Sequence, residues 1–333
     1  MKHAVSRRVW KILIIALIGM GLLAAAGAAG AFFLLQYREY RFLRRAEENF
    51  AKSQWNEAKR NYAWYLTKHP DDVAALEKYA EACSNILPDR RGSLRDVARA
   101  YFQIAIHDPS NDNLILKLLR FQQKHFFWEE VEYSASYFLR QRPEGGPPGI
   151  RDVLRYYHAL ALDRMGRQKD AIDEYSLLAA DGTTQIEVYV NLINLLRQQG
   201  LGEQAEAAST QAEERFPDHP RLHVQRAKSL LEARDLSQAE QEMDQALQRG
   251  ATDPEVLLQA TQVAMVQKKW DQAAHYAEQA SALAPDRVEP YLALAYLHER
   301  QGEPGEAIAL LAGIAPFIRA DNPELYLTLA ELQ

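Results

Sequence analysis

The sequence predicts an all-α array of helix–turn–helix repeats. Five alanines recur at a fixed step of 34 residues: Ala171, Ala205, Ala239, Ala273 and Ala307. The residues twelve positions earlier are small or modest in size: Ala159, Ile193, Ala227, Thr261 and Ala295. Two antiparallel helices approach to about 8–10 Å only where the crossing residues are small. With the alanine set as position 20 of each repeat, the two alignments predict one helix crossing per repeat, at positions 8 and 20.

The same frame extends into the N-terminal half of the chain. A tryptophan stands at position 17, where the second helix begins, in three repeats: Trp55, Trp128 and Trp270. Prolines end the second helices of three earlier repeats, over about residues 39–72, 73–111 and 112–145: Pro70, Pro109 and Pro143. The tryptophans are expected to act as aromatic wedges between helix pairs, with ligand stacking as the alternative role.

Residues 39–333 resemble the tetratricopeptide repeat family in this period, in the alanine at position 20 and in the turns GLGEQA and GEPGEA. The resemblance implies a right-handed α-solenoid of about eight repeats, each burying its apolar face against its neighbours. Two insertions depart from the pattern, NILPDRRGSL and PEGGPPG. The second predicts a Pro/Gly break at 144–151. Membrane-proximal repeats 1–3 then occupy 37–143, and repeats 4–8 with a partial ninth repeat or capping helix occupy 152–333.

The N-terminus carries a predicted membrane anchor. Residues 12–36 are uncharged and follow a basic tail at 1–11; as a helix they would span roughly 37 Å, against a hydrocarbon core of about 30 Å. A cleavable signal peptide is the alternative, because small residues suited to cleavage occur at 24–26 and 29–31. The apolar character resumes at 32–35, which favours the anchor. A short basic tail tends to stay in the cytoplasm, so we expect a single-pass bacterial inner-membrane protein with periplasmic repeats.

The sequence offers no motif for catalysis, cofactor binding or metal binding. His219 and His223 are separated by Pro220 at a helix boundary, without a nearby third ligand for zinc. The single cysteine, Cys83, has the surroundings of a small core residue. A formal net charge of −6 argues against a nucleic-acid partner. We therefore expect a protein that is not an enzyme.

The first helices carry the predicted binding residues. The resemblance implies that positions 2, 5, 6, 9, 12 and 13 of these helices line a concave groove for an extended peptide or a partner helix. The groove residues expected to contact the partner are Lys117, Arg120, Lys124, Tyr156, Tyr157, Asn191, Asn194, Arg197, Arg221, Gln225 and Lys228. Their amide-rich, basic character favours an acidic or backbone-presenting segment. The alternative is an ordinary solvated face of amphipathic helices.

These features predict a membrane-anchored scaffold that recruits protein partners. The alternative is the docking segment of a larger membrane enzyme, secretion or envelope-polysaccharide system. The reason to keep it is that position 20 of the ninth repeat would fall beyond residue 333. The sequence leaves open whether the chain associates with itself.

Overall fold

The computed structural model describes Met20 and residues 40–86, 91–142, 149–315 and 323–332. None of the helices formed by these residues is long and apolar enough to cross a membrane. Apart from Met20, the predicted tail and anchor lie outside the described residues. Most of the predicted break at 144–151 and the centre of the NILPDRRGSL insertion lie outside them as well.

The described residues form seventeen helices and no strand. In chain order the helices are α1 (40–51), α2 (Trp55–Leu66), α3 (Val73–Ser84), α4 (Arg91–His107), α5 (Asp112–Lys124), α6 (Trp128–Arg140), α7 (Ile150–Arg164), α8 (Gln168–Ala180), α9 (Ile186–Gln198), α10 (Gly202–Arg215), α11 (Pro220–Glu232), α12 (Leu236–Gly250), α13 (Pro254–Val266), α14 (Trp270–Leu283), α15 (Glu289–Arg300), α16 (Pro304–Ile314) and α17 (Pro323–Leu332). The odd-numbered helices up to α15 are the first helices of eight repeats, and α17 follows the eighth.

The predicted crossing residues are buried in every repeat where they were assigned. All five alanines at position 20 are fully buried, and all five residues at position 8 are buried as well. Within the C-terminal half, each first helix packs against its own second helix, as α11 does against α12. This burial confirms the steric interpretation of the 34-residue spacing.

Local signals place the helix starts where the frame predicts. Trp55, Trp128 and Trp270 are the first residues of α2, α6 and α14, and each packs against a buried apolar cluster. Four first helices, α3, α5, α11 and α13, begin instead at a capping side chain; at the start of α3, Asp72 accepts from the backbone amide of Ala75 at 3.0 Å. The tryptophans thus serve as packing residues.

The turn between the two helices of a repeat contains a residue with positive φ at position 15. It occurs in seven repeats, with φ between 53° and 80°: Ser53, Phe126, Gly166, Gly200, Arg234, Lys268 and Gly302. The next amide then donates back to the first helix, as the Leu201 amide does to the carbonyl of Leu196 at 2.8 Å. This left-handed residue closes the helix end and reverses the chain.

The chain divides into two compact units, one ending at Gly166 and the other beginning at Arg167. In the first unit, α4 to α7 share a buried cluster that includes Leu118, Phe138 and Leu154. Because α7 packs against α6, this division falls after α7, whereas the sequence placed a break before it. In the second unit the first helices α9, α11, α13 and α15 contact one another in succession and form one layer.

Candidate functional site

A row of amide side chains crosses the layer of first helices in the second unit. Asn191 on α9, Gln225 on α11 and Gln259 on α13 occupy position 6 of successive repeats, 34 residues apart. Because the repeat length is constant, each residue emerges from its helix in the same direction. Asn191 is half-buried and the two glutamines are buried, Gln225 with only 2% of its surface exposed.

The hydrogen bonds of this row are incomplete at its centre. The Asn191 amide donates to Tyr175 Oη at 3.1 Å, and Gln259 Nε2 donates to Glu255 Oε1 at 3.1 Å. Gln225 Oε1 is buried and has no hydrogen-bond partner. A buried acceptor left unpaired costs about 1–3 kcal/mol. The centre of the row therefore has a hydrogen-bond acceptor that only a donor from elsewhere can satisfy.

A second polar row follows at position 9, one helical turn along: Asn194 on α9, Lys228 on α11 and Gln262 on α13. Neither Asn194 nor Lys228 has a hydrogen bond or ion pair in the part of the chain that the structure describes. Burial lowers the pKa of Lys228; Glu255 and Glu232 act in the opposite direction and Arg197 adds to the lowering. Of the three basic groove residues predicted in the second unit, Lys228 is thus the one whose ammonium group has no ion pair among the described residues.

The other two basic residues that the sequence predicts for the groove in the second unit, Arg197 and Arg221, are engaged within the chain. Arg197 is 15% exposed at its side chain and donates to the backbone oxygen of Gln225 at 3.1 Å. Arg221 bridges Glu187 on α9 at 2.9 Å and Asp253 at 2.8 Å. Burial would lower the pKa of Arg221, but these carboxylates raise it instead. The sequence predicts a broad basic surface. In the second unit these positions instead present mainly amide groups and the single amine of Lys228.

The predicted residues of the first unit lie on α5 and α7. Lys117, Arg120 and Lys124 are exposed along α5, and Lys117 Nζ lies 4.6 Å from the centroid of the Tyr101 ring. Lys117 borders a cavity of about 440 Å³ whose other side carries Glu77 and Glu81 on α3. This cavity offers charge of both signs.

The two tyrosines of α7 differ in their surroundings. Tyr156 is half-buried, whereas Tyr157 is buried in the apolar cluster of the first unit, its ring 5.7 Å from that of Tyr156. Burial raises the pKa of Tyr157, and a hydrogen bond from Arg120 partly offsets the increase. Tyr157 therefore contributes mainly to packing.

Residues with potential reactivity are engaged in structural contacts. Cys83 is buried, and burial raises the pKa of its thiol to about 11. His223 is buried between two carboxylates, with Nδ1 2.8 Å from Glu242 and Nε2 3.2 Å from Asp218. Within the described ranges, no group of three His, Cys, Asp or Glu residues is arranged to hold a metal ion.

The sequence prediction did not include two members of the rows, Gln259 and Gln262. The signal that identifies them was available, because each lies 34 residues after a predicted residue, Gln225 and Lys228. The unpaired state of Gln225 Oε1 had no such signal, because it depends on the neighbours that folding brings together.

The tetratricopeptide repeat family model matches residues 196–261 and 264–332. A search of curated protein sequences finds no match. Among solved structures, a chain of the APC/C hetero-tetramer Cut9-Hcn1 is similar with a TM-score of 0.51 and 14% identity, over 83% of this chain and 52% of that one. The chain thus spans about half the length of that relative, and at this identity the likeness concerns the fold alone.

Two further structures are similar at lower scores. A thermophilic TPR protein of Thermus thermophilus has a TM-score of 0.47 and 20% identity, over 56% of this chain and 98% of that one. Yeast Tom70 has a TM-score of 0.39 and 13% identity, over 84% and 69% of the two chains. The family match thus identifies tetratricopeptide repeats within residues 196–332, and the likeness to Cut9-Hcn1 concerns the fold alone.

Proposed function

We propose that the chain is an adaptor that binds an extended segment of a partner protein across α9, α11 and α13. The tetratricopeptide fold suggests a scaffold for protein–protein interaction. The observation that carries the finer proposal is the position-6 amide row, with the unpaired Gln225 Oε1 at its centre. A peptide N–H is the donor that this atom lacks.

The dimensions of the row suit an extended segment. Neighbouring packed helices are about 8–10 Å apart, so three of them span about 20 Å. An extended chain rises about 3.3 Å per residue, so about six residues cross the row. Amides both donate and accept, and they can therefore bond the N–H and C=O groups of a backbone whatever its side chains. Lys228 beside the row favours one acidic residue in the bound segment.

Membrane anchorage is part of the proposal. The uncharged residues 12–36, flanked by basic residues on both sides, would hold the repeats at a bacterial inner membrane, on the periplasmic side. Glu203→Cys supplies an exposed labelling site, and the native Cys83 is buried and remains silent. The outer membrane is opened while the inner membrane stays closed, and a membrane-impermeant maleimide is added. Labelling of the new cysteine under these conditions supports this orientation. Labelling that requires a permeabilised inner membrane, or a chain found free of membranes, contradicts it.

The binding proposal is tested with Gln225→Met, which keeps the side-chain length and removes the unpaired acceptor. We expect an unfolding free energy that is unchanged or up to about 1 kcal/mol higher. Binding to peptides selected from an array by the full chain should weaken about tenfold, a difference of about 1.4 kcal/mol. Calorimetric titration measures the peptide affinity, and urea unfolding measures the stability.

The control is Gln238→Met, an exposed glutamine on the second helix α12, which should leave peptide affinity unchanged. Lys228→Gln should remove the preference for an acidic residue and reduce the salt dependence of binding. If Gln225→Met lowers stability and the selected peptides bind as before, the amide row is purely structural and the proposal fails.

A further inference from the structure

A separate cleft lies between the second helices α4 and α6 in the first unit. It has a volume of about 250 Å³, below the roughly 300–1,000 Å³ of pockets for small molecules. It therefore has room for one side chain. The lining residues that matter chemically are Arg95, Phe102, Gln122, Glu129, Glu130 and Tyr133.

Two residues that line the cleft carry buried acceptor atoms without donors. Gln122 is 2% exposed, and its Nε2 donates to Ser134 Oγ at 3.0 Å, but its Oε1 is buried without a partner. Glu130 accepts from Arg95 Nε at 3.1 Å through Oε1, while its Oε2 is also buried without a partner. Because the terminal torsion of each side chain is broad, rotation about it can turn these two oxygens toward a ligand in the cleft.

Aromatic rings form one side of the cleft. The Phe102 and Tyr133 ring centroids are 5.5 Å apart, and Tyr133 is 56% exposed. The guanidinium carbon of Arg95 already lies 5.4 Å from the centroid of the neighbouring Phe127 ring. The aromatic surroundings of the cleft are therefore suited to stacking of a planar cation.

The four charged residues that line the cleft are two arginines and two glutamates. Arg95 is matched by Glu130. Arg99 at the rim is exposed and lies 3.4 Å from Asp96, which also pairs with Lys59 at 2.7 Å. Glu129 is exposed and has no ion pair with any residue that the structure describes. Among the side-chain acceptors of the cleft, the Glu129 carboxylate and two buried atoms, Gln122 Oε1 and Glu130 Oε2, thus have no donor among the described residues.

We infer that this cleft binds the guanidinium of an arginine side chain from a partner protein. A guanidinium carries five N–H donors and no acceptor, which complements the unpaired oxygens of Gln122, Glu129 and Glu130. Its planar face stacks on aromatic rings such as that of Tyr133, whereas a lysine ammonium is a strongly hydrated point charge. The site uses helices different from those of the proposed peptide row, so either one can fail without the other.

The test uses the full chain and three small probes: the N-acetyl amides of arginine, lysine and glutamate. Saturation-transfer NMR gives their dissociation constants. We expect the arginine probe to bind in the millimolar range and at least threefold more tightly than the lysine probe, with no binding of the glutamate probe. Glu129→Gln and Tyr133→Ala should each weaken arginine binding at least fivefold, and Gln122→Met should do the same.

Matched controls are Glu203→Gln, at the equivalent second position of α10, and Tyr326→Ala, on α17; both residues are exposed. These variants should bind the arginine probe as the unchanged chain does. Because Gln122 is buried, circular dichroism and thermal melting are used to check that the Gln122→Met variant folds. If this variant does not fold, the variants of the exposed residues Glu129 and Tyr133 decide the test. Equal binding of the three probes, or full arginine binding by the folded Glu129 and Tyr133 variants, overturns the inference.

Discussion

The backbone of Gly250, the last residue of α12, lies directly against the ring of Pro220, the first residue of α11. A Cβ atom added to Gly250 would be 2.8 Å from Pro220 Cβ and 3.2 Å from Val256 Cγ2. The proline ring is rigid, and Val256 is a fully buried residue of α13. Three helices thus meet at a point where only a hydrogen atom fits.

Gly250→Ala should therefore destabilise the protein by about 1–3 kcal/mol, through overpacking that outweighs the gain in helix propensity. The control is Gly313→Ala on α16, where nothing lies within 4 Å of the new Cβ. That change should stabilise by about 0.5–1 kcal/mol. Urea unfolding measures both, and a stabilising effect at both positions would show that the contact with Pro220 yields easily.

Ala239 is fully buried where α12 crosses α11. Ala239→Leu adds three heavy atoms at this crossing and should destabilise by about 1–3 kcal/mol. Ala309→Leu, at an exposed position of α16, should change stability by at most about 0.5 kcal/mol. Thermal melting of the two variants compares them, and equal melting temperatures would contradict the crossing assigned to Ala239.

Position 15 allows a test with opposite signs in two repeats. Arg234 is exposed and has φ 60°, while Gly200 has φ 72° and open space around it. A left-handed conformation costs a residue with a side chain about 1–2 kcal/mol. Replacing that residue by glycine removes this cost, but the greater entropy of glycine in the unfolded chain cancels about 0.4–1 kcal/mol of the gain. Arg234→Gly should stabilise by about 1 kcal/mol and Gly200→Ala should destabilise by a similar amount. Denaturant midpoints give both values, and two changes of the same sign would refute the assignment of strain to the backbone.

The ion pair of Arg221 with Asp253 predicts a loss of stability in acid. Burial would raise the pKa of Asp253, but hydrogen bonds from Arg221 and from the Glu255 amide, with the Arg221 charge, hold it below its usual range. The folded-state pKa is thus below the unfolded value of about 3.9. The contribution of the pair is complete above about pH 5 and disappears as the pH falls through the folded-state pKa.

Asp253→Asn removes the charge and keeps the capping ability at the start of α13. At pH 7 it should cost about 1–3 kcal/mol, because a charged, partly buried hydrogen bond is lost. The difference from the unchanged chain should shrink as the pH is lowered from about 4 to 2. Asp271→Asn, at an exposed position of α14, is the control, and a difference independent of pH would contradict the role of the Asp253 charge.

The helix pairing could be predicted because close crossings require small side chains. The crossing positions occupied by Ala205 and Ala227 carry small or modest residues in every one of the five repeats where they were assigned. Tryptophans at the helix starts could be predicted in the same way. The positive-φ position was harder to identify, since glycines at 166, 200 and 302 mark it while Phe126 and Lys268 conceal it. Local propensity does not require these side chains to adopt a left-handed conformation; the geometry of the repeat imposes it.

The candidate site was only partly predictable. Tyr157 stands at a position that the repeat pattern assigns to the groove, yet it packs into the first unit's core because α7 lies against α6. Arg221 could be recognised as a basic residue, but its neutralisation by Glu187 and Asp253 depends on residues 34 and 32 positions away. Which polar groups stay unpaired is a property of the tertiary structure.

The ionic bridges of the second unit also have a mechanical consequence. Arg221 on α11 bridges Glu187 on α9 and Asp253 at the start of α13, and Arg287, just before α15, bridges Glu255 on α13. Each bridge reaches only as far as the neighbouring first helix, so no single link holds the whole unit against a pulling force. Under tension, repeats would detach one after another, each releasing 34 residues, or about 110 Å of extended chain. A partner held by this unit would thus be attached through a tether that lengthens in steps under load.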